Sequence, residues 1–344
     1  MKKILHILTF GIALSFATNF AVADDGNTVG SSNGEFVKVG AAGSQFLKIG
    51  VGARGTAMAA NAAVANDLSS IWWNPAGLAS VKTTGADFEY TSWFAGFSNL
   101  FAAVSLPINE NFTAAISVTS FTSEDIEITT LQKPEGTGHY YTVSDMAVAA
   151  SIAGFLTEDF SFGVNFKYIN NGFATLSSNT IGFDVGTLYN TGLYGIKLGF
   201  EISNLGGEMQ YTGQDLQTLT KLIQESSNAP IDAQYITGRY KLPLIFRAGL
   251  ASEVYKDDMH AVTVAGDFTT YSDVAEQFAL GAEYTFKDLI SVRGGYTFNH
   301  DQFNISGGVG IKYNAGGMEA GVDYSINPTS DLGLVHRLNI RLGF

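Results

Sequence analysis

From about Thr84 to its C-terminus the chain alternates apolar residues with small or polar ones. Phe160, Phe162, Val164, Phe166 and Tyr168 alternate with Ser161, Gly163, Asn165 and Lys167. Ile181, Phe183, Val185, Thr187 and Tyr189 face Gly182, Asp184 and Gly186, and Ile196, Leu198, Phe200 and Ile202 face Lys197, Gly199, Glu201 and Ser203. Phe278, Leu280, Ala282, Tyr284 and Phe286 repeat the pattern against Ala279, Gly281, Glu283 and Thr285. A period of two is the mark of a β-strand with unlike faces. Charged residues are only 15% of the chain, and mean hydropathy is positive at +0.12. Yet beyond the N-terminal leader no run reaches the ~18 apolar residues of a membrane helix. The other structure that crosses a bilayer with every backbone group bonded is a closed barrel. The expected fold class is therefore all-β, a transmembrane antiparallel barrel with its apolar face to lipid and its polar set in the lumen.

About fourteen such segments fit between 84 and 344, an even number as in bacterial barrels. The two long connections, 122–143 and 208–241, follow odd-numbered segments, and the even-to-odd connections are short: LTEDF, NTGLY, YKDDM, FKDLI and NAGGM. Long outer loops and short periplasmic turns are the barrel habit. Phe160, Tyr168, Tyr189 and Phe286 sit at strand ends, where aromatic girdles meet the lipid interface. The last strand, HRLNIRLGF, alternates Leu338, Ile340 and Leu342 and ends on Phe344. A terminal aromatic on an amphipathic strand is similar to the C-terminal signal that the barrel assembly machinery reads.

The chain opens MKKILHILTFGIALSFATNFAVADDG. Lys2 and Lys3, an apolar stretch, and the small-x-small Ala21-Val22-Ala23 define residues 1–23 as a secretory signal peptide. This gives three parts: signal 1–23, an N-terminal plug or hatch segment 24–83, and a barrel 84–344 in a Gram-negative-type outer membrane. There is no Cys, which removes disulfides, thiol nucleophiles, thiolate metal sites and lipoprotein anchors. A net charge of -13 argues against nucleic acid as a partner.

One stretch argues otherwise at first sight. Gly50, Gly52 and Gly55 spell G-x-G-x-x-G before a helix-prone, alanine-rich run from Thr56 to about Ser70. A dinucleotide site needs strand-helix-strand units and an acidic residue about 20 positions on. Asp67 comes too early, and antiparallel strands follow, so no cofactor is expected. The glycines are expected to let the chain turn in a confined space.

The stretch FLKIGVGARGTAMAANAAVANDLSSIWWNPAGLASV instead resembles the N-terminal signature of the PorV/PorQ family of outer-membrane proteins, relatives of FadL-type channels. Phe46, Leu47, Ile49, Gly50, Gly52, Ala53, Arg54, Met58, Asp67, Trp73, Asn74, Pro75, Ala76, Gly77 and Leu78 match, and WNPAGL is the most specific part. The family often has Gly where this chain has Ala57 and Ala59, a departure that favours helix here. The resemblance implies a barrel of about fourteen strands blocked by its N-terminal segment. Arg54 and Asp67 are costly in such a lumen unless paired, and Glu201, Asp184, Glu283 and Arg293 are candidate partners.

Other chemistry is weakly signalled. No His pair has metal-ligand spacing, and no G-x-S-x-G occurs. His300-Asp301 in an outer turn is read as solvated rather than catalytic, and Glu124–Glu127 as a charged hairpin rather than a calcium loop. Leu216, Leu219, Leu222 and Ile223 repeat at helical spacing, which predicts a short amphipathic helix outside the barrel, a lid or partner surface.

Two functions remain open, neither enzymatic. Family resemblance implies an accessory of type IX-like secretion, with a translocon and exported proteins as partners. The alternative is a FadL-like channel whose partner is a small hydrophobic compound. That second reading needs an apolar pocket near the plug and a lateral opening. Gly294-Gly295 and Ser306–Gly310 either kink to provide the opening or mark close packing of the plug.

Overall fold

The computed structural model describes residues 42–220 and 231–344. The signal segment, residues 24–41, Leu222 and Ile223 lie outside the described residues.

Fourteen antiparallel strands form the wall: β1 Gly85–Ser92, β2 Phe97–Pro107, β3 Phe112–Ser123, β4 Val143–Thr157, β5 Phe160–Phe173, β6 Leu176–Asn190, β7 Ile196–Gly206, β8 Ile245–Lys256, β9 His260–Tyr271, β10 Gln277–Phe286, β11 Ile290–Phe298, β12 Ile305–Ala315, β13 Met318–Pro328 and β14 Leu334–Gly343. Each pairs with its neighbours in sequence, and β1 pairs with β14 from Gly85↔Gly343 to Ser92↔His336, which closes the barrel. The alternation sets the register of burial. Phe166, Tyr168, Ile181, Phe183 and Val185 are exposed on the outside, while Asn165, Lys167 and Asp184 are buried inside. Phe344 is exposed, its backbone N–H bonded to the Thr84 carbonyl at 2.8 Å.

The long connections after β3 and β7 leave the same end of the barrel, here called the outer end. In the first, Ile126–Glu127 pairs with Tyr140–Tyr141, a hairpin as expected of the Glu124–Glu127 run. The second corrects the sequence reading. Gln214–Leu216 is one 3₁₀ turn, and Gln217–Thr220 is a strand paired with Ile231–Gln234. Leu216 and Leu219 therefore belong to no amphipathic helix, and Leu219 is 67% exposed. A helix this short draws its stability from packing. Here Leu219 is uncovered and Leu216 only half-buried, and Thr218 and Thr220 favour extended backbone.

Residues 42–83 fill the lumen. A 3₁₀ turn, Gln45–Lys48, sits at the outer end, where Gly43 N–H bonds the Lys241 carbonyl. Helix α1, Ala53–Met58, and helix α2, Ser70–Trp73, follow, then a 3₁₀ turn, Pro75–Ser80, at the inner end before β1. The expected continuous helix from Thr56 to Ser70 is thus broken. Ala59 takes a left-handed φ of 61°, and the Gly55 carbonyl, which accepts the last helical bond from the Ala59 N–H, also accepts from the side chain of Asn61.

Candidate functional site

The signature residues meet around Trp73. Its indole Nε1 donates to the Val51 carbonyl at 2.7 Å. A Cβ on Gly50 would lie 2.6 Å from the Trp73 ring, and one on Gly55 would lie 2.6 Å from its Nε1. Gly52 has a φ of 83°, which an L side chain resists. The three glycines therefore seat an indole and turn the chain.

Asn74 ends α2 in an extended conformation, as expected of a residue before proline. Its Oδ1 accepts from the Ala76 N–H, and its Nδ2 donates to the Ala62 carbonyl at 2.7 Å and to Thr187 of β6 at 3.1 Å. Pro75 begins the inner 3₁₀ turn. Gly77 lets the Ala65 carbonyl approach to 2.1 Å of where its Cβ would stand.

Glycines on the wall receive the plug backbone. A Cβ on Gly199 would stand 2.0 Å from the Ala62 carbonyl oxygen, and one on Gly281 2.0 Å from that of Met58. Gly163 and Gly295 approach Pro75 and Met58 in the same way. Gly295 and Gly308 are packing positions rather than kinks. From Ile290↔Ile311 to Tyr296↔Ile305 the β11–β12 register runs without a shift, and Ser306 Oγ donates to the Ala57 carbonyl at 2.8 Å. Of the two alternatives for these glycines, close packing of the plug is the one found.

The two plug charges are paired. Arg54 Nη2 meets Glu283 of β10 at 2.9 Å, and Glu283 also meets Arg293 of β11 at 2.5 Å. Arg293 binds Asp323 of β13, which binds Arg341 of β14 at 2.5 Å. Arg341 returns to Asp67 at 3.1 Å, and Asp67 lies 3.9 Å from Arg54. Three guanidiniums and three carboxylates thus alternate in a closed, neutral ring. Of the candidate partners, Glu283 holds Arg54 directly and Arg293 joins through it. Glu201 instead binds Arg247, and Asp184 binds Lys167. Burial opposes ionisation of Asp67, but Arg341 and Arg54 outweigh it and hold its carboxyl below the usual range.

Two cavities flank the plug. The inner one, about 500 Å³, is polar and is lined by Arg54, Lys197, Glu283, Arg293, Asp323 and Arg341. The outer one, about 270 Å³, is lined by Trp73, Trp93, Tyr271 and Phe303 together with Arg247 and Arg337. Trp93 and Phe303 pack at 5.3 Å between centroids. Arg337 lies over the Trp93 ring at 5.7 Å and Arg247 over Trp73 at 5.4 Å. Sequence reasoning missed this cavity except for Trp73. Trp93 and Phe303 sit in tight outer connections far apart in sequence, and only barrel closure brings them together.

No family model matches the chain, and no curated protein matches its sequence. Solved structures do resemble it in fold. The CymD monoaromatic hydrocarbon channel is 14% identical with a TM-score of 0.57, over 86% of this chain and 98% of that one. The Ralstonia pickettii toluene transporter TbuX is 12% identical with a TM-score of 0.56, over 85% and 97%. A Pseudomonas aeruginosa FadL homologue is 10% identical with a TM-score of 0.54, over 86% and 98%. The chain has the FadL-like fold, a closed barrel of fourteen strands around an N-terminal plug.

Proposed function

We propose that the protein is an outer-membrane channel for small hydrophobic compounds, reached after export directed by residues 1–23. The observation that carries this is the outer cavity. Aromatic side chains from the plug (Trp73) and from outer connections (Trp93, Phe303) converge on a space the size of a small ligand. The walls are mixed, with aromatic rings beside Lys48, Arg247, Asp267 and Arg337, which suits a small, weakly amphipathic molecule with an aromatic or apolar body. The plug keeps the lumen shut to bulk solutes, so entry depends on affinity for the cavity. The fold neighbours named as hydrocarbon channels and toluene transporters agree with this reading.

The test is uptake of radiolabelled toluene by cells with and without the protein. Faster uptake with the protein, lost on Trp93→Asp, supports the channel; equal uptake removes it. The signature around WNPAGL keeps a second reading in view, an accessory of type IX-like secretion that binds a translocon or exported proteins. It rests on residues 46–78 alone.

A further inference from the structure

The plug is not held equally on all sides. Toward β5 and β6, Asn165 donates to the Ile71 carbonyl, Ser161 to Ala76, and Asn74 to Thr187. Toward β9, Asp267 accepts from Asn61 and Ala62 N–H. Toward β12 and β13, Ser306 bonds Ala57 while Ser325 and Asn327 bond Thr56. The charge ring ties β10 and β14. Toward β2, β3 and β4 the picture changes. Among the described residues, side-chain hydrogen bonds join the plug to those strands only at its last residues, Thr113 Oγ1 donating to the Val81 carbonyl at 2.8 Å and Ser105 Oγ to the Thr83 carbonyl at 3.1 Å; none joins residues 49–80.

Apolar packing takes their place. Val51, Leu68, Ile71, Leu78 and Ala79 of the plug form one cluster with Phe101, Ala103, Ala115 and Ala153 of the wall. Trp72 packs against this cluster and also against a second one at the outer end, which contains Phe46, Leu47 and Ala147. Val81 and Phe155 extend the first cluster toward the inner end. One seam therefore runs from the outer end of the plug to its inner end, apolar on the plug side and lined on the wall by small residues, with buried Ser117 and Ser151 paired across strands to Ala103 and Ala115.

We propose that hydrophobic compounds cross the plugged barrel along this seam, by wedging the plug away from β2–β4. The inference rests on the channel reading. Separating the plug from β5–β14 strips buried polar groups of their partners, and a hydrocarbon replaces none of them. Separating residues 49–80 from β2–β4 breaks no such bond and loses mainly apolar contact, which the entering compound itself restores, while the bonds to Val81 and Thr83 hold the base of the plug in place. The seam is thus selective without a rigid filter: a polar solute cannot fill the gap it would open. The alanines on the wall side leave the most room when the plug leans away.

The natural chain has no Cys, so single thiols report on the seam. Ala103→Cys and Ala115→Cys place one in it, at positions 2% and 5% exposed; Ser161→Cys places one on the hydrogen-bonded side at 3%. Each purified variant is treated with N-ethylmaleimide, which is neutral, and with a sulfonate-bearing methanethiosulfonate. Heat-modifiable gel mobility confirms the folded barrel. The expected result is labelling by the neutral reagent at positions 103 and 115 at least tenfold faster than at 161, no labelling by the charged reagent, and toluene uptake at least fivefold lower after modification at 103 or 115. Equal labelling at all three positions overturns the seam, as does unchanged uptake after modification. Uptake absent even before modification removes the channel reading and this inference with it. Uptake present with equal labelling removes the inference alone.

Discussion

Arg54 of the plug grips Glu283 of the barrel wall with two parallel hydrogen bonds, Nε to Oε2 at 3.0 Å and Nη2 to Oε1 at 2.9 Å. The pair is the point where residues far apart in the chain lock the stopper to the wall. Removing one partner leaves the other charged, buried and attached to a ring that no longer balances. Glu283→Gln is expected to cost about 3–5 kcal/mol. Urea unfolding followed by gel mobility measures it. Arg54→Met combined with Glu283→Leu is expected to cost less than the two single losses together.

Gly199 approaches the Ala62 carbonyl too closely for any side chain. The obstacle is plug backbone, which cannot swing away like a flexible side chain. Gly199→Ala is therefore expected to push the plug off β7 at a cost of about 1–3 kcal/mol. Faster tryptic cleavage after Lys48 or Arg54 reports it, with the barrel still heat-modifiable. Gly266→Ala, where nothing stands within 3.3 Å, is the control.

Ala59 holds a φ of 61° at the end of α1. The sequence reading took alanine here as a helix-favouring departure from the related signature. The structure shows the opposite: the position is left-handed and the alanine bears the strain. Ala59→Gly is expected to stabilise the protein by about 1 kcal/mol, read as a higher urea midpoint.

Asp67 gives the plug a pH dependence. Its carboxyl lies below the ordinary value of 3.8 because Arg341 and Arg54 outweigh the effect of burial. A lowered folded-state value contributes stability that is present above the ordinary carboxylate range and fades as pH falls through the lowered one. Tryptic access to the plug is not measurable in acid, but pepsin works there. Pepsin cleavage within residues 42–83 is expected to accelerate as pH drops below about 4. Asp67→Asn is expected to show faster cleavage already at the upper end of that range and a flatter pH profile.

What the sequence made legible follows from where its information lies. Alternation along a strand is local, so the fourteen strands, their facing and the placing of the two long connections at one end could all be read directly. Trp73, Asn74 and Pro75 were legible as a turn because Pro constrains the residue before it. The pairing of Arg54 was legible as a need with Glu201, Asp184, Glu283 and Arg293 as candidate partners, but not as a choice among them. Its answer, Glu283, depends on which strand faces α1 once the barrel closes. The run containing Leu216 and Leu219 misled because helical spacing means little without a surface to pack on. Trp93, Phe303 and Arg337 left no local signal, since each lies in or beside a different outer connection. The seam against β2–β4 is likewise a property of the closed barrel: Ala103, Ala115 and Ala153 differ little in sequence from other small inward residues.

The central claim is that this plugged barrel handles small hydrophobic molecules. The most direct measurement is gentle detergent purification from native outer membranes, with mass spectrometry of small molecules and of co-purifying proteins. The account expects a lone barrel carrying a hydrophobic compound in near one-to-one amount, lost on Trp93→Asp. A ligand-free barrel that co-purifies with a much larger barrel, or with exported proteins sharing a C-terminal domain, would contradict it and favour the secretion reading.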